Sequence, residues 1–205
     1  MSASIPTGNT FDKYGSTNPV VRRLMSGFEA ALDALFLQAA PRSLLDIGCG
    51  EGILTEQWAT RLGEGRVMGV DLPDPKLAAH WQARTRPNLE FGELDVTRGL
   101  PYADREFDLV CATEVLEHVP GPGEVVAEMA RVAARHLIVS VPHEPLWRML
   151  NVARGAYLRD LGNTPGHINH WTRRGFVRLL SNHGTVTEIR SPFPWTMLLV
   201  RVGQS

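Results

Sequence analysis

The chain has 205 residues, of which 43% are hydrophobic and 21% are charged, with 21 basic and 22 acidic side chains. This length suits one domain with a sizeable core, and the balanced composition excludes a disordered chain, a collagen-like repeat and a disulfide scaffold. No apolar run approaches the roughly 20 residues of a membrane span, and the polar start of the chain lacks signal-peptide features. Cys49 and Cys111 lie in apolar runs, which is typical of reduced thiols. We therefore expect a single cytoplasmic domain over residues 1–205.

Short aliphatic runs alternate with longer amphipathic segments, which indicates β-α-β units around a parallel sheet. The apolar spacing predicts helices over 19–37, 53–62, 74–84 and 123–134, and a helical stretch from about Glu114. Asp74 is the predicted N-cap of the third helix, with Pro75 at its first position. Strands are predicted over 43–47, 66–70, 89–91, 107–112 and 136–141. A helix over 172–180 and two apolar runs, 185–189 and 195–202, complete the chain, and these two runs can pair antiparallel.

The predicted domain divides into four parts: an N-terminal helix region (1–40), a core (41–142), an insert without clear periodicity (143–171), and a C-terminal helix and hairpin (172–205). From residue 143 onwards there are eight arginines and three acidic residues, a net charge of +5. Such an excess favours an anionic group on the substrate, although ordinary solvated arginines would also account for it.

The most informative segment is the run Leu-Leu-Asp-Ile-Gly-Cys-Gly-Glu-Gly at 44–52. A strand must turn sharply into a helix here, and glycines allow positive φ and close approach of the backbone to a ligand. The G-x-G-x-G spacing, preceded by Asp46, differs from the G-x-G-x-x-G of dinucleotide-binding domains. Asp71 ends the next predicted strand, 21 residues beyond Gly50. A carboxylate at that position can accept hydrogen bonds from both hydroxyls of a ribose.

The glycine turn resembles the first motif of the class I S-adenosylmethionine-dependent methyltransferases. Asp71 and the run Phe-Gly-Glu-Leu-Asp-Val at 91–96 resemble further motifs of the same family. The run Leu-Pro-Tyr-Ala-Asp-Arg-Glu-Phe-Asp-Leu-Val at 100–110 resembles its small-molecule, type-11-like branch. The resemblance implies an α/β, Rossmann-like fold with a seven-stranded, mostly parallel sheet, a C-terminal antiparallel hairpin, and helices on both faces. It implies S-adenosyl-L-methionine as cofactor and S-adenosyl-L-homocysteine as product.

The same resemblance implies roles for individual residues. Asp71 would hold the ribose, Leu72 would pack against the adenine, and Asp95 would receive the adenine amino group. The predicted cofactor-binding residues are Asp46, Gly48, Cys49, Gly50, Asp71, Leu72, Asp95, Val96 and Thr113. The N-terminal helix region is expected to act as a lid, on which Tyr14 and Arg23 could contact cofactor or substrate. The resemblance also implies that the insert over 143–171 builds the substrate pocket.

The fourth predicted strand leads into Glu-Val-Leu-Glu-His at 114–118, and a helix would bring Glu114, Glu117 and His118 to one side. Three roles are open for this group. It could order the substrate loop, His118 could accept the proton of the nucleophile, or the group could bind a divalent metal with His167 or His143. We do not favour the metal. The predicted catalytic residues are His118, Glu114 and His167.

The expected reaction is methyl transfer to a small-molecule acceptor, with oxygen favoured over nitrogen or carbon. The E-x-x-E-H run also resembles the small-RNA 2′-O-methyltransferases and the O-methyltransferases of ubiquinone synthesis. RNA 2′-O-methylation with a divalent metal at Glu114, Glu117 and His118 is therefore an alternative, although the chain has no basic run for nucleic acid. An NAD-dependent oxidoreductase and a non-catalytic binding protein are alternatives of other classes. We expect no membrane partner, and a monomer or homodimer.

Overall fold

A computed structural model describes residues 17–153 and 155–203. Its strands are β1 (Ser43–Ile47), β2 (Arg66–Asp71), β3 (Leu89–Glu93), β4 (Phe107–Thr113), β5 (Ala133–Pro142), β6 (Thr185–Arg190) and β7 (Trp195–Arg201). The α-helices in these ranges are α1 (Pro19–Ala39), α2 (Ile53–Leu62), α3 (Pro75–Gln82), α4 (Pro122–Val132), α5 (Leu146–Ala153) and α6 (Arg173–Ser181). Tyr14 lies outside the described residues.

The seven strands form one sheet in the order β3-β2-β1-β4-β5-β7-β6. The first five are parallel, and β7 runs antiparallel to both β5 and β6. This confirms the expected sheet and its C-terminal hairpin, and it differs from the 3-2-1-4-5-6 order of dinucleotide-binding domains. The chain order reverses beside β1, so the carboxyl ends of β2, β1 and β4 meet at one edge, where open α/β sheets bind ligands.

Helices cover both faces of the sheet, because successive strand residues point to opposite sides. On one face, α1 buries an apolar stripe that includes Phe28 against a cluster containing Leu44. On the other face, α4 packs Val126 into a cluster containing Leu45. Arg23 is exposed on α1, and the lid role of that region stays a prediction. No helix in the described ranges has both the length and the apolar character needed to span a membrane.

Two features of the middle of the chain differ from the sequence-based expectation. The helix expected from about Glu114 is wrong: residues 114–120 form turns and bends, and α4 begins at Pro122. Glu114 has φ 60°, a left-handed conformation that interrupts any helix at this point. The insert, in contrast, contains the short helix α5. The predicted cap at Asp74 is confirmed, since its side chain accepts a hydrogen bond from the Lys76 N–H at 2.8 Å.

Arg131 on α4 holds the loop that leads into β4. Its guanidinium donates to the carbonyls of Leu100 and Tyr102 and pairs with the carboxylates of Asp104 and Glu128. Glu128 in turn accepts a hydrogen bond from the Leu100 N–H at 3.0 Å. The Arg131 side chain and this backbone N–H stabilise the charged carboxylate and lower the pKa of Glu128 to about 2.

This network predicts an acid-sensitive contribution to stability. Because the pKa of Glu128 is lower in the folded state, its contribution is present above the pKa of the unfolded state and is lost as the pH falls towards 2. At pH 7 the free energy of unfolding should therefore be higher for the wild type than for Glu128→Gln. This difference should shrink below about pH 4. Denaturant titrations across this range measure it. A difference that stays constant with pH would contradict the assignment.

Candidate active site

The turn between β1 and α2 lies at the carboxyl edge of the sheet and depends on three glycines. Gly48, Gly50 and Gly52 have φ values of 68°, 55° and 77°. These left-handed values favour glycine, because a residue with a Cβ atom would be strained there. A Cβ at Gly48 would overlap the side chain of Val115, and one at Gly52 would overlap the ring of Phe91. A Cβ at Gly50 would have no neighbour within 4 Å among the described residues, so in this part of the structure the turn has an open side on which a ligand can approach.

Asp71, at the end of β2, is hydrogen-bonded to this turn. One carboxylate oxygen accepts from the Gly50 N–H at 2.7 Å, and the other accepts from the Leu72 N–H at 2.7 Å. Burial raises the pKa of Asp71, and these two N–H donors oppose that rise. Each carboxylate oxygen has a second lone pair, so the group can still accept hydrogen bonds from ribose hydroxyls.

Asp46 is a buried carboxyl near the end of β1. Its Oδ2 accepts a hydrogen bond from the Thr55 hydroxyl at 2.6 Å, whereas its buried Oδ1 has no hydrogen-bond partner within residues 17–153 and 155–203. Burial raises the pKa of Asp46 to about 7, the Thr55 bond opposes that rise, and the charge of Asp71 adds to it. An unsatisfied buried carboxyl beside a second carboxylate is suited to a cationic ligand, which agrees with the positively charged cofactor that the sequence implies.

The remaining predicted cofactor residues lie around the same edge. Leu72, Val96 and Thr113 are half-buried. Asp95 caps a short 3-10 helix by accepting from the Thr97 N–H and hydroxyl, and it lines a cavity of about 530 Å³. Burial raises the pKa of Cys49, so its thiol stays protonated and is no nucleophile. The adenine-binding roles of these residues stay predictions.

A cluster of Glu117, His118 and His167 lies beyond the end of β4. Each of the three offers a ligand atom, and these atoms all lie within 4.8 Å of one another. Glu117 and His167 are buried, and the two imidazole rings are nearly perpendicular with centroids 4.8 Å apart. Nδ1 of His118 lies 3.0 Å from the carbonyl oxygen of Gly166. The arrangement can exchange a proton or bind a divalent cation.

Asn169 joins the two segments that form the cluster. Its side-chain amide donates to the carbonyls of Leu116 and Val119 at 2.9 and 2.7 Å, and its backbone N–H donates to the Glu117 carbonyl at 3.1 Å. The insert is thereby attached to the turn after β4, and this attachment brings His167 to His118. Sequence reasoning missed Asn169, because an amide that binds distant backbone carbonyls has no local signature.

Glu114 does not share one side of a helix with Glu117 and His118, as the sequence led us to expect. Its carboxylate accepts from the Ser140 hydroxyl at 3.1 Å and from the indole N–H of Trp195 at 2.7 Å. Glu114 thus links the end of β4 to β5 and β7.

Aromatic rings from the insert and from β7 border the cluster. Trp147 on α5 stacks on His167 with centroids 6.2 Å apart, and it lies 5.9 Å from Trp195. Its indole N–H donates to the Thr164 hydroxyl at 2.9 Å, which fixes the ring. The two other histidines of the insert make different contacts. The backbone of His143 forms an isolated β-bridge with Trp171, and the exposed ring of His170 is hydrogen-bonded to the Asn163 side chain. Among the insert histidines, only His167 therefore belongs to the cluster with Glu117 and His118.

The raised pKa of Asp46 predicts that this residue destabilises the ligand-free protein at neutral and alkaline pH. A folded-state pKa of about 7 against a usual 3.8 means that stability is full at low pH and declines as the pH rises through 7. Asp46→Asn should therefore unfold with a higher free energy than the wild type at pH 8, by up to a few kcal/mol at about 1.4 kcal/mol per pKa unit. Denaturant titrations at pH 5 and pH 8 measure this. If the free energies of unfolding of the wild type and Asp46→Asn were equal at both pH 5 and pH 8, the prediction would be contradicted.

Comparison with known proteins adds independent evidence. Residues 45–137 match a family model described as a methyltransferase domain. The chain is 31% identical over 157 residues to the ubiquinone biosynthesis O-methyltransferase of Nitrosococcus oceani, a match that covers 68% of this chain and 65% of that protein. The chain thus spans slightly less than two thirds of the length of this relative.

Solved structures show the same fold. The magnesium protoporphyrin IX methyltransferase of Synechocystis PCC 6803, which has S-adenosylhomocysteine bound, superposes with a TM-score of 0.68 at 20% identity over 92% of this chain and 90% of its own. The PH0226 protein of Pyrococcus horikoshii OT3 superposes with a TM-score of 0.69 at 19% identity over 95% and 97%. Residues 45–137 thus match a methyltransferase domain, and the chain has the fold that these solved structures share.

Proposed function

We propose that this protein transfers the methyl group of S-adenosylmethionine to a hydroxyl oxygen of a small molecule. The observation that carries the proposal is the position of two groups at one edge of the sheet. The glycine turn with Asp71 lies at the ends of β1 and β2, and the cluster of Glu117, His118 and His167 follows the adjacent strand β4. A donor site and a proton-accepting site therefore lie side by side. The name of the Nitrosococcus oceani relative supports oxygen as the accepting atom.

On the donor side, the residues of this chain bind and orient the cofactor. When bound, S-adenosylmethionine supplies a methyl group already activated by its sulfonium. The Asp71 carboxylate accepts hydrogen bonds from the ribose hydroxyls, and the open side of Gly50 allows close approach of the backbone. The unsatisfied carboxyl of Asp46 favours the cationic end of the cofactor. Holding donor and acceptor in line supplies much of the rate acceleration expected for such a transfer.

On the acceptor side, His118 is the proton acceptor. A carbonyl oxygen can only accept a hydrogen bond, so Nδ1 of His118 carries the proton that binds Gly166, and the lone pair is on Nε2. Nε2 takes the hydroxyl proton as the oxygen–methyl bond forms, while the electron pair of the sulfur–methyl bond stays on sulfur. The buried Glu117 carboxylate stabilises the resulting imidazolium. Proton transfer of this kind contributes roughly 10²- to 10⁴-fold.

A second candidate is methylation of an RNA 2′-hydroxyl with a divalent cation at the same cluster. One carboxylate and two imidazoles form a donor set suited to zinc, iron or manganese, and the ligand atoms lie within 4.8 Å of one another. In this candidate His167 is the third ligand, since Glu114 bonds to Ser140 and Trp195. The arginine excess of the C-terminal third fits an anionic acceptor in either case.

Calorimetric titration with S-adenosylmethionine, S-adenosylhomocysteine and NAD tests the donor side. The wild type should bind the first two in the micromolar range and should not bind NAD. Asp71→Ala should weaken both affinities at least tenfold, because a hydrogen bond to a charged group contributes about 1.5–3 kcal/mol. Exposed Asp104→Ala is the matched carboxylate control and should keep wild-type affinity. Binding of NAD alone would refute the proposed function.

A second experiment separates the two acceptor candidates. Transfer of a labelled methyl group is measured with hydroxylated aromatic acids, their uncharged analogues and a short RNA, each with and without EDTA. If His118 is the proton acceptor, EDTA should have no effect, and His118→Gln should lower kcat roughly 10²-fold or more with unchanged cofactor affinity. His170→Gln, at an exposed histidine outside the cluster, is the control.

The metal candidate makes the opposite prediction for the same variants. Metal analysis should find one divalent ion per wild-type chain and none in His118→Gln or His167→Gln. EDTA should then abolish methylation, and RNA should be the accepted substrate. Labelling of small hydroxylated acceptors in the presence of EDTA would exclude this candidate.

A further inference from the structure

We propose that Trp81 and Arg84 are positioning residues that hold the glycine turn in the conformation that binds the cofactor. Trp81 lies in the last turn of α3, and Arg84 follows the end of that helix. Neither residue belongs to the motifs that point to a methyltransferase. The inference rests on the proposed binding of S-adenosylmethionine at the turn, and it adds the residues that fix the shape of the turn.

The two side chains bind consecutive carbonyl groups of the turn. The indole N–H of Trp81 donates to the carbonyl of Gly50 at 2.8 Å, and the Nε–H of Arg84 donates to the carbonyl of Glu51 at 2.7 Å. The N–H of Gly50 is already bonded to Asp71 at 2.7 Å. The peptide groups on both sides of Gly50 are therefore held by side chains from outside the turn.

Trp81 is itself fixed by its neighbours. It is buried, and its ring stacks on Phe91 of β3 with an interplanar angle of 3° and centroids 5.4 Å apart. The Phe91 ring occupies the space that a Cβ would need at Gly52 and at Gly69. The indole N–H is thus directed at Gly50 by packing that includes the turn and the strand beside it.

Arg84 is fixed by a second contact. Its guanidinium pairs with Glu56 of α2 at 2.8 Å, with both side chains about three-quarters buried. Arg86 pairs with the same carboxylate at 3.4 Å, and no bond from Arg86 to the turn is present in the described structure. Both arginines therefore pair with Glu56, but of the two it is Arg84 that donates a hydrogen bond to the Glu51 carbonyl.

External hydrogen bonds matter here because glycine loses more conformational freedom on ordering than any other residue. Three left-handed glycines within five residues make a turn that is mobile unless something fixes it. A cofactor that had to order the turn on binding would lose affinity by the free energy of that ordering. Trp81 and Arg84 fix the carbonyl side of the turn in advance, while the side of Gly50 without neighbours stays open. Their effect should therefore appear in cofactor affinity and not in the methyl-transfer step.

The first test replaces Trp81 by phenylalanine, which keeps a ring on Phe91 and removes the N–H donor. Loss of one such hydrogen bond should raise the Kd for S-adenosylmethionine and S-adenosylhomocysteine roughly 3- to 10-fold. The KM for the cofactor should rise by the same factor with kcat unchanged at saturation. Hydrogen exchange in the ligand-free protein should be faster at 48–52. Trp58→Phe is the control, because Trp58 is buried against Phe36, and it should leave Kd and exchange at the turn unchanged.

A second pair of variants keeps the proposal testable if Trp81→Phe folds poorly. Arg84→Gln should raise the Kd and speed exchange at 48–52, whereas Arg86→Gln should change neither. Wild-type Kd and wild-type exchange in both Trp81→Phe and Arg84→Gln would overturn the proposal, as would a fall in kcat at unchanged Kd. Failure of the wild type to bind S-adenosylmethionine would instead refute the proposed function. The exchange measurement would still test whether Trp81 and Arg84 hold the glycine turn.

Discussion

The glycine turn after β1 is the constraint on which both sides of the site depend. Gly48 allows Val115, in the segment after β4, to pack directly on the turn, and Gly52 allows the same for the ring of Phe91 on β3. A larger residue at either position would have to displace the turn or its neighbour. The proposed donor site and the segment that leads to the proposed acceptor site are therefore in direct contact, and the turn sets the distance between them.

The proposed acceptor side depends on Glu114, a residue that has a left-handed conformation although it is not glycine. Glu114 keeps a φ of 60° because its carboxylate bonds to Ser140 on the adjacent strand β5 and to Trp195 on β7, one strand further along the sheet. This conformation turns the chain away from a helical path after β4. The chain that follows is then held by Asn169, and Glu117 is brought to the insert. Strain at one residue and hydrogen bonds across the sheet together build the cluster.

These contacts explain which features the sequence could predict. The strands, the glycine turn and the Asp74 cap have local signatures, in apolar runs, glycine spacing and N-cap chemistry. The run from Glu114 to His118 also fits helical spacing, but a bond to Trp195, 81 residues away in the chain, decides its conformation. Trp81 and Asn169 act through donors that bind backbone carbonyls far along the chain. Such pairings depend on the fold, so no local pattern predicts them.

The buried carboxyl groups at the turn lower the stability of the ligand-free protein, and they raise its affinity for a cationic ligand. Asp46 is buried with one unsatisfied oxygen, and Asp71 lies close enough to raise its pKa further. Ionising both carboxyls therefore destabilises the ligand-free fold, and a bound cation offsets that cost. In the proposed reaction the cofactor carries one positive charge more than the product, because the sulfonium becomes a thioether. The same pair of carboxyls then favours the cofactor over the product, so the burial that weakens the empty protein also assists product release.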